Sequence, residues 1–260
     1  MIDVHNHILY GIDDGSPTIE KSIEILQKAY EVGYREFILT PHFIEDTDYI
    51  CNNRSKLIRL RNLQKKVKQI NLPVELYLGN EVHIHDDIIK NIKDKKIMPL
   101  NNGKYLLLEL PFRNRYHGTE DIIFELTRHD IVPVIAHVER YQYITEKDIE
   151  RFIDLGCLIQ GNALSLTGKY GKDAEKKLKM FLKKNMIHVL CSDAHTVSAF
   201  EKLKDIKRVV KKIVKKDEII EDLFKNNARK IINNETIIPY QIKEKEECKI
   251  FGWFQRKEFE

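Results

Sequence analysis

Seven short apolar segments, most of them separated by helical patterns, constrain the fold more than any other feature of this sequence. They are residues 1–4, 35–40, 74–78, 104–108, 131–136, 157–160 and 187–191. Near-continuous apolar strands that alternate with helices are typical of a parallel sheet covered by helices, because both faces of such a sheet are buried. We therefore predict an α/β fold, a seven-stranded barrel with one strand–helix unit fewer than the usual eight.

Local signals predict individual helices and a boundary in the chain. Leucine and valine recur on one stripe between residues 53 and 69, which predicts a long helix there. Ser16 and Pro17 predict the start of the first helix, since a hydroxyl group caps free N–H groups and proline needs no N–H at that position. No strand–helix unit remains after Ile232, so we expect a barrel over residues 1–232 and a charged, aromatic tail over residues 233–260.

The strand ends carry many side chains of the kind that bind metals. Successive polar residues at these ends are 25 to 39 residues apart, which leaves room for one strand–helix unit each. In an α/β barrel the carboxyl ends of the strands share one rim, where the chemistry of such folds is gathered. The candidate ligands on this rim are His5, His7, Asp14, His42, Glu81, Glu109, His137, Asp193 and His195.

Nine imidazole and carboxylate groups are more than one ion needs. A zinc ion takes three or four ligands, so the set predicts two or three ions with a bridging carboxylate. His5 and His7 point to the same side of an extended strand and can bind one ion together. Each residue taken singly could instead be a helix cap or a chance surface residue, but nine on one rim favour metal. Nitrogen and oxygen ligands without thiolate suit manganese, iron or zinc.

Composition argues against several other functions. The 44 basic and 40 acidic residues are mixed along the chain, which disfavours nucleic acid as a partner. No apolar run reaches 18 residues and no signal peptide is visible, so we expect a cytoplasmic protein that is not integral to the membrane. The four cysteines form no Cys-x-x-Cys pair, in keeping with a reducing compartment. None of them begins a Cys-x5-Arg motif, which excludes a cysteine-nucleophile phosphatase.

Several motifs occur together, in order, along residues 1–232. They are Ile2-Asp-Val-His-Asn-His-Ile8, Asp13-Asp-Gly15, Thr40-Pro-His42, Gly79-Asn-Glu81, Tyr105 to Glu109, Pro133-Val-Ile-Ala-His-Val-Glu-Arg-Tyr141, Ser192-Asp-Ala-His195 and Asn227-Ala-Arg-Lys-Ile231. In this set the sequence resembles the PHP (polymerase and histidinol phosphatase) superfamily, and within it the bacterial protein-tyrosine phosphatases of capsular and exopolysaccharide synthesis. The Asp-Asp-Gly and His-x-Glu-Arg-Tyr motifs favour this branch over histidinol phosphatase.

The resemblance implies a distorted (β/α)7 TIM-like barrel, the PHP fold, with three divalent ions, manganese being the first expectation. It implies a first ion on His5, His7, Glu81 and Asp193, a second on Glu81, Glu109 and His137, and a third on Asp14, His42 and His195. The choice of Asp14 over Asp13 comes from the resemblance, because spacing alone cannot separate them. The implied reaction is hydrolysis of phosphotyrosine by a metal-activated hydroxide, with Arg140 gripping the phosphate. The implied protein substrate is a membrane-attached bacterial tyrosine kinase.

Two features leave alternatives open. The family commonly has a second arginine soon after Ser-Asp-x-His, whereas residues 196–202 contain none, and Lys202 or Arg113 could take its role. The missing arginine supports one rival function, a non-catalytic docking module. The nearest rival is a phosphoesterase for a small molecule such as histidinol phosphate. The tail segment of residues 249–257 mixes aromatic and basic side chains, so it could contact an anionic membrane or a partner, pack on the barrel, or be disordered.

Overall fold

A curled parallel sheet surrounded by helices forms the fold. The computed structural model describes residues 1–240 and 242. The strands are β1 Ile2–Asp3, β2 Glu36–Leu39, β3 His42–Phe43, β4 Glu75–Leu78, β5 Glu81–His83, β6 Tyr105–Glu109, β7 Val132–Ile135, β8 Leu158–Asn162 and β9 Val189–Cys191. Their hydrogen-bonded order is β1-β2-β4 in one sheet and β3-β5-β6-β7-β8-β9 in the other, and all named pairs are parallel.

Helices follow most of the strands and cover the outside of the sheets. They are α1 Ile19–Glu31, α2 Asn53–Gln69, α3 Ile88–Lys93, α4 Thr119–Arg128, α5 Glu146–Asp154, α6 Gly171–Lys183, α7 Val197–Lys202, α8 Ile206–Val214, α9 Asp217–Glu221 and α10 Asn227–Ile232. Short 3-10 turns occur at Leu100–Asn102, Val138–Arg140 and Ala163–Thr167. Within the described part of the chain, no helix combines the length and the apolar character needed to cross a bilayer.

All seven predicted strand segments form strands, but the count of seven is not confirmed. Two short strands, β3 and β5, follow β2 and β4 almost at once, because the pairing of those two strands is interrupted. Pro41 lies at the first interruption and has no N–H for the ladder. The Asn80 side chain donates to the Pro41 carbonyl at 2.9 Å, and the Glu81 N–H donates to it at 3.2 Å, so the two strand pairs stay in line across the gap.

The first and last strands meet at their carboxyl ends. The N–H of Asp193 donates to the carbonyl of His5, and the N–H of His7 donates to the carbonyl of Ala194, both at 2.9 Å. Lower down, the Ser192 hydroxyl donates to the buried Asp3 carboxylate at 2.6 Å. These contacts join the carboxyl ends of β1 and β9 and so bring together three candidate ligands, His5, His7 and Asp193.

Two apolar layers explain the continuous apolar strands. In β6, Tyr105 and Leu107 face the interior of the curled sheet, while Leu106 and Leu108 face the helices. All four side chains are buried, as expected where side chains alternate between two covered faces. Fully burying such a side chain contributes about 1.5–3 kcal/mol, so both layers stabilise the frame that carries the strand ends.

The helix predictions hold in one case and are shifted in another. Helix α2 runs over Asn53–Gln69 as expected, with the Asn52 side chain as its cap. Helix α1 begins later than the Ser16-Pro17 signal indicated, because Thr18 is the residue that caps it. The Ser16 hydroxyl instead donates to the Thr18 carbonyl at 2.9 Å.

The chain after α10 continues along the sheet as far as it is described. Asn234 accepts a hydrogen bond from the N–H of Lys104 at 2.8 Å, and the Tyr240 hydroxyl donates to Asp222 at 2.6 Å. The boundary after Ile232 remains a prediction. The aromatic and basic segment of residues 249–257 lies outside the described residues.

Candidate metal centre

All nine candidate ligands meet at the carboxyl ends of the strands. Their ligand atoms lie within 4.8 Å of one another in four overlapping groups, which together contain all nine residues. The groups are His7-Asp14-His42-His195, His5-His137-Asp193, His5-His7-Glu81 and His42-Glu81-Glu109. The first group matches the third set implied by the resemblance, with His7 added. The other groups divide the remaining residues differently from that scheme.

Glu81, at the start of β5, is the centre of the cluster. Its Oε1 lies 3.1 Å from Nε2 of His5 and 3.0 Å from Nε2 of His137. Its Oε2 lies 3.2 Å from Nε2 of His7 and 3.1 Å from Nδ1 of His42. A carboxylate with imidazoles at both oxygens is suited to bridge two ions.

Asp193 forms the second carboxylate of the buried side. Its Oδ1 lies 3.5 Å from Nε2 of His5 and 3.4 Å from Nε2 of His7. Its Oδ2 accepts hydrogen bonds at 2.8 Å from Nη1 of Arg140 and from the Asn162 side chain. The predicted phosphate-binding arginine therefore lies at the edge of the same cluster.

Asp14 and Asp13, which spacing could not separate, have different surroundings. Asp14 is half exposed, and its Oδ1 is 3.6 Å from Nε2 of His42 and 3.4 Å from Nε2 of His195. Asp13 is buried behind the imidazoles, where its carboxylate pairs with Nδ1 of His7 at 2.7 Å and accepts the N–H of His42 at 3.1 Å. Asp14 thus faces the cavity, and Asp13 orients a candidate ligand from behind.

Local backbone geometry directs several of these side chains. His137 and Asp193 have φ values of 29° and 49°, a region that side-chain-bearing residues seldom adopt, and both lie just after a strand. Gly15 is required by close contact, since a Cβ there would lie 2.0 Å from the His7 carbonyl oxygen. Gln160 supports the cluster by meeting Nδ1 of His5 at 3.1 Å and accepting the N–H of His137 at 2.6 Å.

Burial opposes the charged forms of these groups, but their mutual attraction outweighs it. Burial would raise the pKa of Glu81, yet the surrounding imidazoles, His5 and His42 foremost, lower that pKa well below its usual range. Burial likewise disfavours charged His137, but Glu109 and Glu81 raise its pKa. By contrast, burial alone lowers the pKa of His188, outside the cluster, to about 4. The buried carboxylates of the cluster therefore depend on nearby positive charge to stay ionised.

Three buried ring nitrogens without hydrogen-bond partners indicate whether these residues could bind metal ions. Nε2 of His5, Nε2 of His7 and Nδ1 of His42 are buried and find no hydrogen-bond partner among residues 1–240 and 242. Buried polar atoms normally have partners. Each of these nitrogens nevertheless points toward Glu81, at 3.1 to 3.2 Å. Such an arrangement of nitrogen and oxygen donors without thiolate fits divalent ions.

The cavity contains residues that sequence reasoning missed. Its volume is about 310 Å³, and besides candidate ligands and Arg140 it is lined by Phe112, Lys169 and Tyr170. The Arg140 guanidinium lies 4.7 Å from the Phe112 ring centre and 4.2 Å from that of Tyr170. No periodic signal in the sequence distinguishes these two aromatics. Lys202 and Arg113, the expected substitutes for a second arginine, do not line the cavity.

A second cavity adjoins this one. It has a volume of about 690 Å³ and shares Phe112, Arg140 and Tyr170 with the metal cavity. Fold and site together define an α/β protein with a candidate multi-ion centre at the carboxyl ends of its parallel strands, open to a larger groove.

Comparison with known proteins identifies the family. The model of the CpsB/CapC capsular polysaccharide synthesis family matches residues 1–233. The chain is 33% identical over 201 residues to a putative tyrosine-protein phosphatase CapC of Staphylococcus aureus, an alignment that covers 76% of this chain and 78% of that protein. It is 29% identical over 261 residues to the tyrosine-protein phosphatase YwqE of Bacillus subtilis, covering 98% of this chain and 100% of that protein.

A solved structure agrees with this relationship. The chain matches a crystal structure from a study of YwqE from Bacillus subtilis and CpsB from Streptococcus pneumoniae, described as unique metal-dependent tyrosine phosphatases. The TM-score is 0.85 at 27% identity, and the match covers 94% of this chain and 100% of that one. The protein described here belongs to the CpsB/CapC capsular polysaccharide synthesis family.

Proposed function

We propose that this protein is a metal-dependent protein-tyrosine phosphatase. The observation that carries the proposal is the convergence of nine nitrogen- and oxygen-donor residues, with Glu81 at their centre and Arg140 at the edge of the same cavity. Relatives named tyrosine-protein phosphatases support the choice of substrate. Bound divalent ions would supply positive charge for the phosphoryl oxygens and would lower the pKa of a water molecule.

The nine donors act as ligands of three ions, for which manganese is the first candidate and iron or zinc are alternatives. The donor type supports this range of metals. The two sheets work as one distorted seven-unit PHP barrel in which β2 with β3, and β4 with β5, each count as one interrupted strand. The backbone contacts between His5 and Asp193 support closure of this barrel.

Arg140 and the two aromatic side chains beside it handle the substrate. The guanidinium presents several N–H donors to the phosphoryl oxygens, and its contact with Asp193 keeps it at the cavity edge. Phe112 and Tyr170 bracket the guanidinium and can contact the ring of a phosphotyrosine. The adjoining groove gives room for the polypeptide on either side of that tyrosine. A small phosphate ester would leave this groove unfilled.

The physiological substrate is a phosphotyrosine protein of the cytoplasm, with a membrane-attached bacterial tyrosine kinase of polysaccharide synthesis as the first candidate. Membership of the capsular polysaccharide synthesis family supports this choice.

A substrate panel at equal manganese loading tests the proposal. We expect turnover of a tyrosine-phosphorylated peptide well above that of histidinol phosphate or a serine-phosphorylated peptide. Chelation followed by dialysis should abolish the activity, and thiol alkylation of the folded protein should leave it unchanged. Preference for histidinol phosphate would establish the small-molecule alternative. Binding of the peptide without turnover would establish the docking alternative.

A further inference from the structure

Lys169 is a second cation, besides Arg140, among the described residues that line the metal cavity. It lines that cavity, whereas Lys202 and Arg113 do not. We propose that Lys169 contacts the phosphoryl oxygens of the substrate together with Arg140, in the role that a second arginine would otherwise fill. This inference rests on the proposed phosphatase function and adds a specific phosphate-binding residue to it.

A tight turn presents Lys169 to the cavity. The N–H of Gly171 donates to the carbonyl of Gly168 at 3.1 Å, so Lys169 and Tyr170 are the two central residues of the turn. The glycines have φ values of 79° and 89°, which glycine adopts at little cost and other residues do not. The turn joins the 3-10 segment Ala163–Thr167 to α6 and places both central residues where they line the metal cavity.

Lys169 and Arg140 share one aromatic neighbour. The Tyr170 ring centre lies 4.9 Å from Nζ of Lys169 and 4.2 Å from Cζ of Arg140. The Tyr170 hydroxyl is 3.4 Å from Oδ2 of Asp193, the oxygen that accepts from Arg140. Both cations therefore adjoin one ring in the cavity lining, and a phosphoryl group in the cavity could contact the two together.

Lys169 is exposed at the cavity edge, where an anion can approach its ammonium group. Among the residues that the structure describes, it makes no ion pair, while Arg140 is already paired with Asp193. Partial burial lowers the pKa of Lys169, and the nearby positive charges of Arg140 and Lys202 lower it further, against the effect of Asp193. A phosphoryl dianion would supply the missing countercharge. The Lys169 ammonium group would attract the phosphoryl oxygens as a point charge, without the paired contacts of an arginine.

Phosphate binding and aryl phosphate hydrolysis by the manganese-loaded protein test this role. Lys169→Met and Lys169→Ala should each weaken the binding of inorganic phosphate, measured by calorimetry, about tenfold. The same variants should lower kcat/KM by about tenfold. Lys169→Arg should equal or exceed the unmodified protein in both measurements. Lys172→Ala removes an exposed lysine three residues away, outside the cavity lining, and should change neither.

The outcomes separate this inference from the proposed function. Unchanged phosphate affinity in Lys169→Met would overturn the role of Lys169, even if the protein hydrolyses phosphotyrosine. Equally weak phosphate binding in Lys169→Arg would also overturn it, because positive charge at residue 169 would then not explain the affinity. Loss of bound manganese in Lys169→Met would overturn it too, because the weaker binding would then follow from the lost metal. If the unmodified protein hydrolyses no phosphate ester, the phosphatase proposal fails, while phosphate binding still decides whether Lys169 contacts that anion.

Discussion

The two halves of the candidate metal centre differ in how they are held. The buried half comprises His5, His7, Glu81, Glu109, His137 and Asp193, whose side chains are at most 7% exposed. The exposed half comprises His42, His195 and Asp14, whose side chains are 13%, 24% and 52% exposed.

Contacts that support the ligand side chains are more numerous in the buried half, although Nδ1 of His195 in the exposed half also meets the Asp193 carbonyl at 3.1 Å. In the buried half, Gln160 meets His5, Asn162 donates to Asp193 and Asp13 pairs with His7. Such partners fix the orientation of ligands and commonly change metal affinity by 10- to 100-fold. In the exposed half, Asp14 can turn toward water instead. For the proposed centre, we therefore expect ions bound by the buried half to be held more tightly than an ion bound by the exposed half.

Replacing the central carboxylate should have the largest effect. Glu81 contacts four of the five clustered imidazoles, so Glu81→Gln should remove most of the bound metal and lower turnover at least about a thousandfold, or about 4 kcal/mol. Metal analysis and peptide turnover measure the two effects. Glu139→Gln is the matched control for metal content, because Glu139 is similarly buried but lies outside the four ligand groups and accepts from Ser165 instead. Full metal content in Glu81→Gln would remove Glu81 from the centre.

Arg140 lies beside the buried half and should matter for phosphate more than for metal. We expect Arg140→Ala to cost about 3 kcal/mol of transition-state stabilisation, roughly a hundredfold in rate, with the ions retained. Arg140→Lys should recover only part of this loss, because an ammonium group cannot make the paired contact. Kinetics with parallel metal analysis check this prediction. Loss of metal in Arg140→Ala would instead mean that its contact with Asp193 holds the ligand in place.

The exposed half should show a smaller and separable effect. Asp14→Asn should lose one ion while the buried half keeps its own, and turnover should fall about tenfold, since one carboxylate ligand becomes a weaker amide. Asp154→Asn serves as control, since Asp154 is an exposed residue of α5 that lines neither the metal cavity nor the adjoining groove. If Asp14→Asn emptied the whole centre, the two halves would be one cooperative unit and the comparison would fail.

The smallest expected effect concerns His188, which lies outside both halves of the metal centre. It is a buried histidine whose pKa is shifted by burial alone. Its pKa is about 4 in the folded protein against a usual 6.5, so it stays neutral when folded but gains a proton when unfolded. The stability it contributes is therefore complete above pH 6.5 and is lost as the pH falls toward 4, by up to about 3 kcal/mol. His188→Asn keeps an acceptor for the N–H of Ile159 and should flatten this part of the acid stability profile in urea unfolding. An unchanged slope in the variant would show that His188 is not responsible.

Sequence-based prediction was most successful where a single side-chain periodicity or a single motif determines the local structure. Apolar runs such as residues 104–108 predicted strands, and residues 53–69 predicted a helix, because side-chain periodicity follows directly from backbone geometry. The strand count was harder, since the break at Pro41 depends on how Asn80 restores the ladder across the gap.

At the site, residue type predicted the donors but not their surroundings. The histidines and carboxylates at the strand ends could be recognised from the sequence as candidate ligands, and all nine meet in the structure. Gln160 on β8, and Phe112 and Lys169 on separate loops, belong to ordinary residue types, so only the folded arrangement reveals that they border the cluster. The same limit explains why Lys202 and Arg113 were named in place of Lys169.

Anomalous X-ray diffraction at the manganese edge, from crystals of the manganese-loaded protein, tests the central claim most directly. The account predicts peaks in the cavity about 2.0–2.4 Å from ligand atoms of both halves, with higher occupancy in the buried half. Glu81 should lie between two of the peaks. A cavity without anomalous density, or peaks bound only by Asp14, His42 and His195, would contradict it.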